Sequence, residues 1–361
     1  MNPTRQLHAL GQSLWLDNIT RDLLNSGTLQ RYCNELSVSG LTSNPTIFEQ
    51  AIRNTAAYDA AIAAAAGAGK TGEALFFDLA LADLKQAAAL FRPIHQASGG
   101  LDGWVSLEIS PLLADDTAGT VAEAKRLHAL ANCPNLFIKI PGTPAGVRAI
   151  EEVILAGVPV NVTLLFSREH YIAAADAYWR GIARRIEAGL DARVNSVASI
   201  FVSRWDAAVA GKTPAALSNR LGVAIGQRIY KAYRKRLTSP AWRKLADAGA
   251  LPQRLLWAST GTKDPQIKAS YYIEALAAPG TINTMPEKTL LAFAELGVIN
   301  GVMAEDGGDT ETMLADFALA GVDIVALASQ LQLDGARAFT QSWVALLALI
   351  DAKSQPATGR S

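Results

Sequence analysis

Short apolar runs alternate along this chain with longer segments of helical periodicity. Eight runs have the length and composition of buried strands: Ser13–Asp17, Val38–Asn44, Gly103–Glu108, Leu136–Ile140, Val158–Thr163, Val197–Val202, Arg254–Ser259 and Thr281–Thr284. Each is followed by a helical segment, so the pattern predicts an α/β fold of repeating strands and helices. Eight repeats favour a (β/α)8 barrel. A doubly wound sheet stays open as the alternative, because alternation alone does not show that the sheet closes.

Several residues predict where helices begin and end. Thr120–Glu123 and Thr284–Glu287 match the capping-box pattern. Thr143 and Asp264 each precede a proline, which is typical of an N-cap followed by the first helical residue. Gly157 is placed to end the helix that begins after Thr143.

The chain contains no stretch rich enough in Pro, Gly or Ser to divide it. We therefore expect one barrel domain over residues 1–353, with helical insertions. After the eighth strand the pattern is wholly helical, and Thr340–Ile350 is predicted to be the final helix. The last residues, Ser354–Ser361, have the composition of a flexible tail.

Composition narrows the class of protein. Lys plus Arg equals Asp plus Glu at 33 each, so neither nucleic acid nor an anionic membrane is an expected partner. The N-terminus lacks the apolar run of a signal peptide, and no run of about 18 apolar residues predicts a membrane span. We expect a soluble cytoplasmic protein. The sequence leaves open whether it is a monomer or a homodimer.

Motifs of other enzyme classes are incomplete. The segment that ends in Lys70 and Thr71 matches the end of a P-loop, but Ala64 stands where that motif requires its first glycine. The four histidines lack the spacing of metal ligands, and no glycine signature of a dinucleotide site is visible. We therefore expect neither a metal nor an organic cofactor.

Ionisable residues fall at the C-terminal ends of the predicted strands, where barrel enzymes place their active sites. Lys139 is the most informative, because a buried, unpaired ammonium costs several kcal/mol. As a neutral amine it could attack a carbonyl group and form a Schiff base. Alternatively, it reaches water from the strand end or forms a structural ion pair with Glu108. Asp17 and Glu108 could transfer protons, although Asp17 could instead cap the helix that begins near Thr20.

Two asparagines suit the hydroxyl groups of a sugar, since an amide both donates and accepts hydrogen bonds. Asn161 shares a strand face with Thr163, and Ser199 shares one with Phe201, because residues two apart point the same way. Asn44 precedes a proline, so a simple turn is the alternative interpretation there.

With these residues, the chain resembles the transaldolase family along most of its length, and it looks closest to the longer bacterial subgroup. Seven segments carry the resemblance: Leu-Trp-Leu-Asp17-Asn, Gly-Leu-Thr-Ser-Asn44-Pro-Thr, Val-Ser-Leu-Glu108, Phe-Ile-Lys139-Ile-Pro, Asn161-Val-Thr163-Leu-Leu-Phe-Ser, Ser199-Ile-Phe201-Val-Ser-Arg204 and Trp-Ala-Ser259-Thr. The resemblance implies a (β/α)8 barrel of the Schiff-base aldolase type. It also implies transfer of a dihydroxyacetone unit from sedoheptulose 7-phosphate or fructose 6-phosphate to glyceraldehyde 3-phosphate or erythrose 4-phosphate, in the pentose phosphate pathway.

The same resemblance implies a role for each matching residue. Lys139 would form the Schiff base and Asp17 would act as the general acid and base. Glu108 with Thr163 would position a catalytic water. The substrate-binding residues would be Asn44 and Asn161 for hydroxyl groups, Ser199 and Phe201 for the shape of the pocket, and Arg204 and Ser259 for phosphate.

The chain departs from the family pattern at one position. Many members carry arginine two residues after the serine that matches Ser259, and this chain has Gly261 there. Lys263 is a candidate replacement for that arginine, as a point charge beside the phosphate.

Two other functions stay open. One is a related lysine-dependent aldolase, which would use the same lysine but release its product. The other is a catalytically silent barrel that only binds sugar phosphates.

Overall fold

Eight parallel strands close into a barrel in the computed structural model, which describes residues 2–355. The strands follow one another in chain order around the barrel, and the eighth pairs with the first. They are β1 Ser13–Asp17, β2 Val38–Thr42, β3 Trp104–Glu108, β4 Leu136–Pro141, β5 Val160–Leu165, β6 Ser196–Phe201, β7 Arg254–Ala258 and β8 Ile282–Met285. The closed sheet confirms the predicted (β/α)8 barrel and excludes the doubly wound alternative.

Helices connect and surround the strands. In the described residues they are α1 Pro3–Ala9, α2 Arg21–Asn25, α3 Thr28–Leu36, α4 Pro45–Asn54, α5 Asp59–Gly67, α6 Gly72–Ala97, α7 Thr117–Ala131, α8 Pro144–Leu155, α9 Arg168–Glu187, α10 Ser203–Val209, α11 Leu221–Leu237, α12 Pro240–Asp247, α13 Tyr271–Ala275, α14 Glu287–Leu296, α15 Thr310–Leu319 and α16 Ile324–Ser354. Short 3₁₀ helices stand at Pro111–Leu113 and Ala215–Leu217.

The predicted strands agree with the observed ones to within two residues at each end. The largest differences are at β2 and β5. The predicted second strand, Val38–Asn44, is too long because Asn44 is the N-cap of α4, where its Oδ1 accepts a hydrogen bond from the amide of Ile47 at 3.1 Å. β5 continues past Thr163 to Leu165, after a shift in its pairing register with β6.

Three of the predicted helix starts are wrong. Thr120 lies inside α7, because Asp116 caps that helix one turn earlier by accepting from the amide of Gly119 at 3.0 Å. Thr284 belongs to β8, and α14 begins after Pro286 without a side-chain cap. Asp264 accepts from the amide of Gln266 at 2.8 Å in a turn, and the next helix begins only at Tyr271.

The predicted boundaries of α8 are confirmed at both ends. Thr143 caps the helix, since its Oγ1 accepts from the amide of Gly146 at 3.1 Å. Gly157 follows the last turn with a φ of 84°, a left-handed conformation that glycine adopts without strain.

The final helix is much longer than the predicted Thr340–Ile350, and its Gln332 bonds to the backbone of Gly142 and Leu164 at the C-terminal ends of β4 and β5. α16 packs against α4, α5 and α6 through a buried stripe of Phe339, Trp343, Leu346 and Ile350, whose spacing places them on one helix face. The ring of Trp343 meets that of Phe76 edge to face, with centroids 4.9 Å apart. Ser354 belongs to α16, and the rest of the predicted tail from residue 356 onward lies outside the described residues.

Within the part of the chain that the structure describes, no single helix is both long and apolar enough to cross a membrane. α15 and α16 pass such a test together by length and composition alone, and they bend by 89° at the break between them.

Candidate active site

A cavity of about 150 Å³ opens at the C-terminal ends of the strands. Its wall contains most of the predicted site residues: Asp17, Asn44, Lys139, Thr163, Ser199, Phe201, Arg204, Ser259 and Lys263. Of the remaining two, Glu108 contacts Lys139, and Asn161 contacts Ser199. The barrel therefore brings together all of the residues selected from the sequence.

Lys139 and Glu108 form a buried ion pair at the base of this cavity. The pairing of β3 with β4 places the two residues side by side, and Nζ lies 3.0 Å from Oε2. Nζ also donates to the backbone carbonyl of Ser43 at 3.1 Å. Lys139 is 5% exposed and Glu108 4%. Burial raises the pKa of the Glu108 carboxyl, and the nearby charge of Lys139 opposes that rise.

Asp17 ends β1 and faces the cavity. The pairing of β1 with β2 places Thr42 beside it, and the Thr42 hydroxyl donates to Oδ1 at 2.8 Å. Burial raises the pKa of Asp17, while the charge of Lys139 and the hydrogen bond from Thr42 oppose the rise. Asp17 is not the cap of the following helix, because the Oγ1 of Thr20 accepts from the amide of Leu23 at 3.0 Å.

Asn161 is oriented by two hydroxyl groups. The Ser199 hydroxyl donates to its Oδ1 at 2.7 Å, and its Nδ2 donates to the Ser106 hydroxyl at 3.1 Å. Thr163 lies two residues further along β5, and its Oγ1 is buried without a hydrogen-bond partner among the described residues. That hydroxyl is therefore available to a group bound in the cavity.

Asn44 serves the fold and the cavity together. Its Oδ1 accepts the capping bond from the amide of Ile47, so Asn44 begins a helix and is not part of a simple turn. Asn44 also lines the cavity, and its side-chain NH₂ group can donate to a bound hydroxyl.

Two cationic side chains, those of Arg204 and Lys263, line the cavity. The guanidinium carbon of Arg204, in α10, stands 5.0 Å from the ring centroid of Phe201. Ser259 has a φ of 54°, an uncommon conformation for a residue other than glycine, and its Oγ lies 3.0 Å from that of Ser203. Lys263 is exposed and lies between this cavity and a neighbouring one of about 420 Å³. Both cations could therefore meet a phosphate group.

Several residues that line the cavity are absent from the predicted site, among them Thr42, Thr284 and Phe339. Thr42 and Thr284 are hydrogen-bonded to each other, with their Oγ1 atoms 2.7 Å apart. Their positions at the ends of predicted strands are the available signal, but Thr284 also matches the capping-box pattern, although it lies in β8. Phe339, from α16, had no such signal, because it belongs to a helix that is far away along the sequence.

The family model of transaldolase/fructose-6-phosphate aldolase matches residues 14–350, which is nearly the whole chain. The chain belongs to this family. Relatives named transaldolase include a protein of Arthrobacter sp. (strain FB24), 43% identical over 357 residues that cover 96% of this chain and 95% of the relative. A transaldolase of Thiobacillus denitrificans is 43% identical over 358 residues, which cover 97% of this chain and 100% of that protein. A transaldolase of Neisseria meningitidis (strain Z2491) is 39% identical over 341 residues, which cover 94% of this chain and 97% of that protein.

These matches confirm the family that the seven sequence segments predicted. The relatives' shared name also supports the predicted activity, that of a transferase. The role of each side chain in this protein stays a prediction.

Proposed function

We propose that this protein is a transaldolase that carries a three-carbon ketose unit as a Schiff base on Lys139. The observation that carries the proposal is the buried pair of Lys139 and Glu108, which opens onto a cavity that also contains Asp17. The substrates are proposed to be phosphorylated sugars of the pentose phosphate pathway. A cytoplasmic location is part of the proposal.

The first step requires a neutral amine. A proton can pass from Nζ of Lys139 to Oε2 of Glu108 across 3.0 Å, since burial raises the pKa of that carboxyl. The amine then attacks the C2 carbonyl of the donor ketose. Loss of water from the resulting carbinolamine forms the Schiff base.

The second step breaks the bond between C3 and C4 of the donor. Asp17 takes the proton of the C4 hydroxyl, the electron pair of the bond moves into the Schiff base, and the aldose phosphate leaves. A three-carbon enamine then stays on Lys139. It adds to the carbonyl of the acceptor aldose, and Asp17 returns the proton to the new hydroxyl group.

The last step is hydrolysis of the Schiff base. Thr163 offers a buried hydroxyl without a partner among the described residues, and Glu108 is a carboxyl that exchanges protons with the amine. Together they can hold and activate a water molecule. Asn44 and Asn161 would bind hydroxyl groups of the three-carbon unit. Arg204, Ser259 and Lys263 would bind the phosphate, and Ser199 and Phe201 would shape the pocket.

The activity is tested with sedoheptulose 7-phosphate as donor and glyceraldehyde 3-phosphate as acceptor. We expect the protein to form erythrose 4-phosphate and fructose 6-phosphate in equal amounts. Lys139→Ala should abolish this transfer, whereas Lys125→Ala, at an exposed position on α7, should retain it. A correctly folded wild-type protein without transfer would contradict the proposal.

The two alternative functions give different products in the same assay. A lysine-dependent aldolase would release free dihydroxyacetone from the donor when no acceptor is present. A transaldolase keeps that unit on the enzyme until an acceptor arrives. A silent barrel would bind sugar phosphates and form no product at all.

A further inference from the structure

Three side chains from neighbouring strands form a chain of hydrogen bonds at the edge of the cavity. Asp17 belongs to β1, Thr42 to β2 and Thr284 to β8. The Oγ1 of Thr42 lies 2.8 Å from Oδ1 of Asp17 and 2.7 Å from Oγ1 of Thr284. Each threonine is only 2% exposed.

The number of available protons fixes the direction of both bonds. A hydroxyl group donates one hydrogen bond, and an ionised carboxylate only accepts. When Asp17 is ionised, Thr42 therefore gives its proton to Oδ1 and must accept from Thr284. The hydroxyl of Thr284 is the first donor of the chain.

Thr284 is itself held in place by the barrel. Its backbone carbonyl accepts from the Thr260 hydroxyl at 2.9 Å, and its register places it opposite Trp15 of β1. A donor on such a rigid element can orient its neighbour precisely enough to matter for catalysis.

We infer that Thr284 is a positioning residue, which acts through Thr42 to hold Oδ1 of Asp17 and leaves Oδ2 for proton transfer. This inference rests on the proposed role of Asp17 in breaking the C3–C4 bond. Among residues 2–355, Asp17 accepts one side-chain hydrogen bond, from Thr42 to Oδ1, and its Oδ2 accepts none. A fixed Oδ1 aims the second oxygen into the cavity, where the C4 hydroxyl would lie.

The pH dependence of kcat/KM tests the chain, because its acidic limb reports ionisation of the base in the free enzyme. The bond from Thr42 lowers the pKa of Asp17 against the effect of burial. Thr42→Val should therefore move the limb to higher pH by roughly one unit. Thr284→Val should move it in the same direction by less, because Thr42 still donates but is less polarised. The double variant should move it no further than Thr42→Val alone.

Conservative variants separate this role from a purely structural one. Thr42→Ser and Thr284→Ser keep the hydroxyl and should retain the wild-type limb. Thr281→Val is a further control, because it removes another buried hydroxyl, just before the N-terminal end of β8. This variant should also retain the wild-type acidic limb. The inference would be overturned if Thr284→Val left the acidic limb of kcat/KM unchanged. It would also be overturned if the pH shifts of the two single variants added up in the double variant. If Thr42→Val does not fold, the comparison of Thr284→Val with Thr284→Ser carries the test.

Failure of the inference is distinct from failure of the proposed function. Trapping of the donor on Lys139 with borohydride needs no bond cleavage and can be measured in every variant. Wild-type protein that neither traps nor transfers would remove the proposed function. Normal trapping and transfer with an unmoved acidic limb in Thr284→Val would remove only the role of Thr284.

Discussion

The ring centroid of Phe339 lies 5.6 Å from Nζ of Lys139, so the last helix of the chain forms part of the wall around the reactive amine. Phe339 is 6% exposed and presents an apolar surface to the ion pair of Lys139 and Glu108. Exclusion of water strengthens electrostatic interactions inside a site and protects reactive intermediates from hydrolysis. α16 is therefore expected to affect how long the three-carbon unit stays on the enzyme.

Phe339→Ala should weaken that protection. We expect the fraction of donor turnover that ends in free dihydroxyacetone to rise several-fold, because water would reach the Schiff base more easily. The measurement is an enzymatic assay of dihydroxyacetone with and without acceptor. Val344→Ala is the matched control, since Val344 is on the same helix and 57% exposed. An unchanged ratio of release to transfer in Phe339→Ala would contradict this role.

Gln332 holds α16 against the barrel. Its Nε2 donates to the backbone carbonyls of Gly142 and Leu164, at 3.0 and 2.9 Å. Gln332→Ala should lower the free energy of unfolding by about 1–2 kcal/mol, measured by chemical denaturation, and should raise the KM for the donor. Gln330→Ala changes a glutamine that bonds to Asp334 of the same helix, and it should change neither stability nor KM. Equal stability of the two variants would show that these two bonds do not hold the helix.

Lys263 lines the cavity two residues after Gly261, the position at which the resemblance to the family implies an arginine. Because it is exposed, its contact with a phosphate group should be modest. Lys263→Ala is expected to raise the KM for glyceraldehyde 3-phosphate about two- to fivefold, with a small change in kcat. Lys268→Ala, whose side chain pairs with Glu274 at 3.7 Å, is the control. If the two variants have the same KM, the phosphate has another ligand.

His170 should make the stability of the protein depend on pH. Its Nδ1 accepts from the amide of Phe166 at 3.3 Å, and burial lowers its pKa from the ordinary 6.5, with Glu169 opposing. Above about pH 6.5 the His170 side chain is neutral in both the folded and the unfolded protein, so its contribution to the stability of the fold is complete. As the pH falls below that value, the unfolded chain binds the proton first, so stability is lost until the pH reaches the lower pKa of the folded state.

The variant His170→Asn keeps an acceptor and removes the titration. Its melting temperature should fall less than that of the wild type between about pH 7 and pH 5. His8→Asn, at an exposed position, should behave as the wild type does. An identical decrease in all three proteins would contradict the role of His170.

The barrel and the inner part of the site could be predicted because both depend on local patterns. A strand buried on both faces has a continuous apolar run, so a lysine within Leu136–Pro141 is conspicuous. The parallel order of the strands then places Asp17, Glu108 and Lys139 at the same end.

The remaining features depend on contacts between segments that are distant along the chain. Phe339 is one apolar residue among many in α16, and only the fold shows that it reaches Lys139. The hydrogen bond between Thr42 and Thr284 requires β8 to close next to β1, which alternation of strands and helices does not establish. The incorrect helix caps have a similar cause, since Thr120 and Thr284 match the pattern while tertiary structure decides which residue caps.

The most direct measurement of the central claim is reductive trapping on Lys139. The protein is incubated with fructose 6-phosphate, reduced with borohydride, digested and analysed by mass spectrometry. We predict a donor-dependent adduct on the peptide that contains Lys139, with none in Lys139→Ala. An adduct on another lysine, no adduct in active wild-type protein, or transaldolase activity in Lys139→Ala would contradict the account.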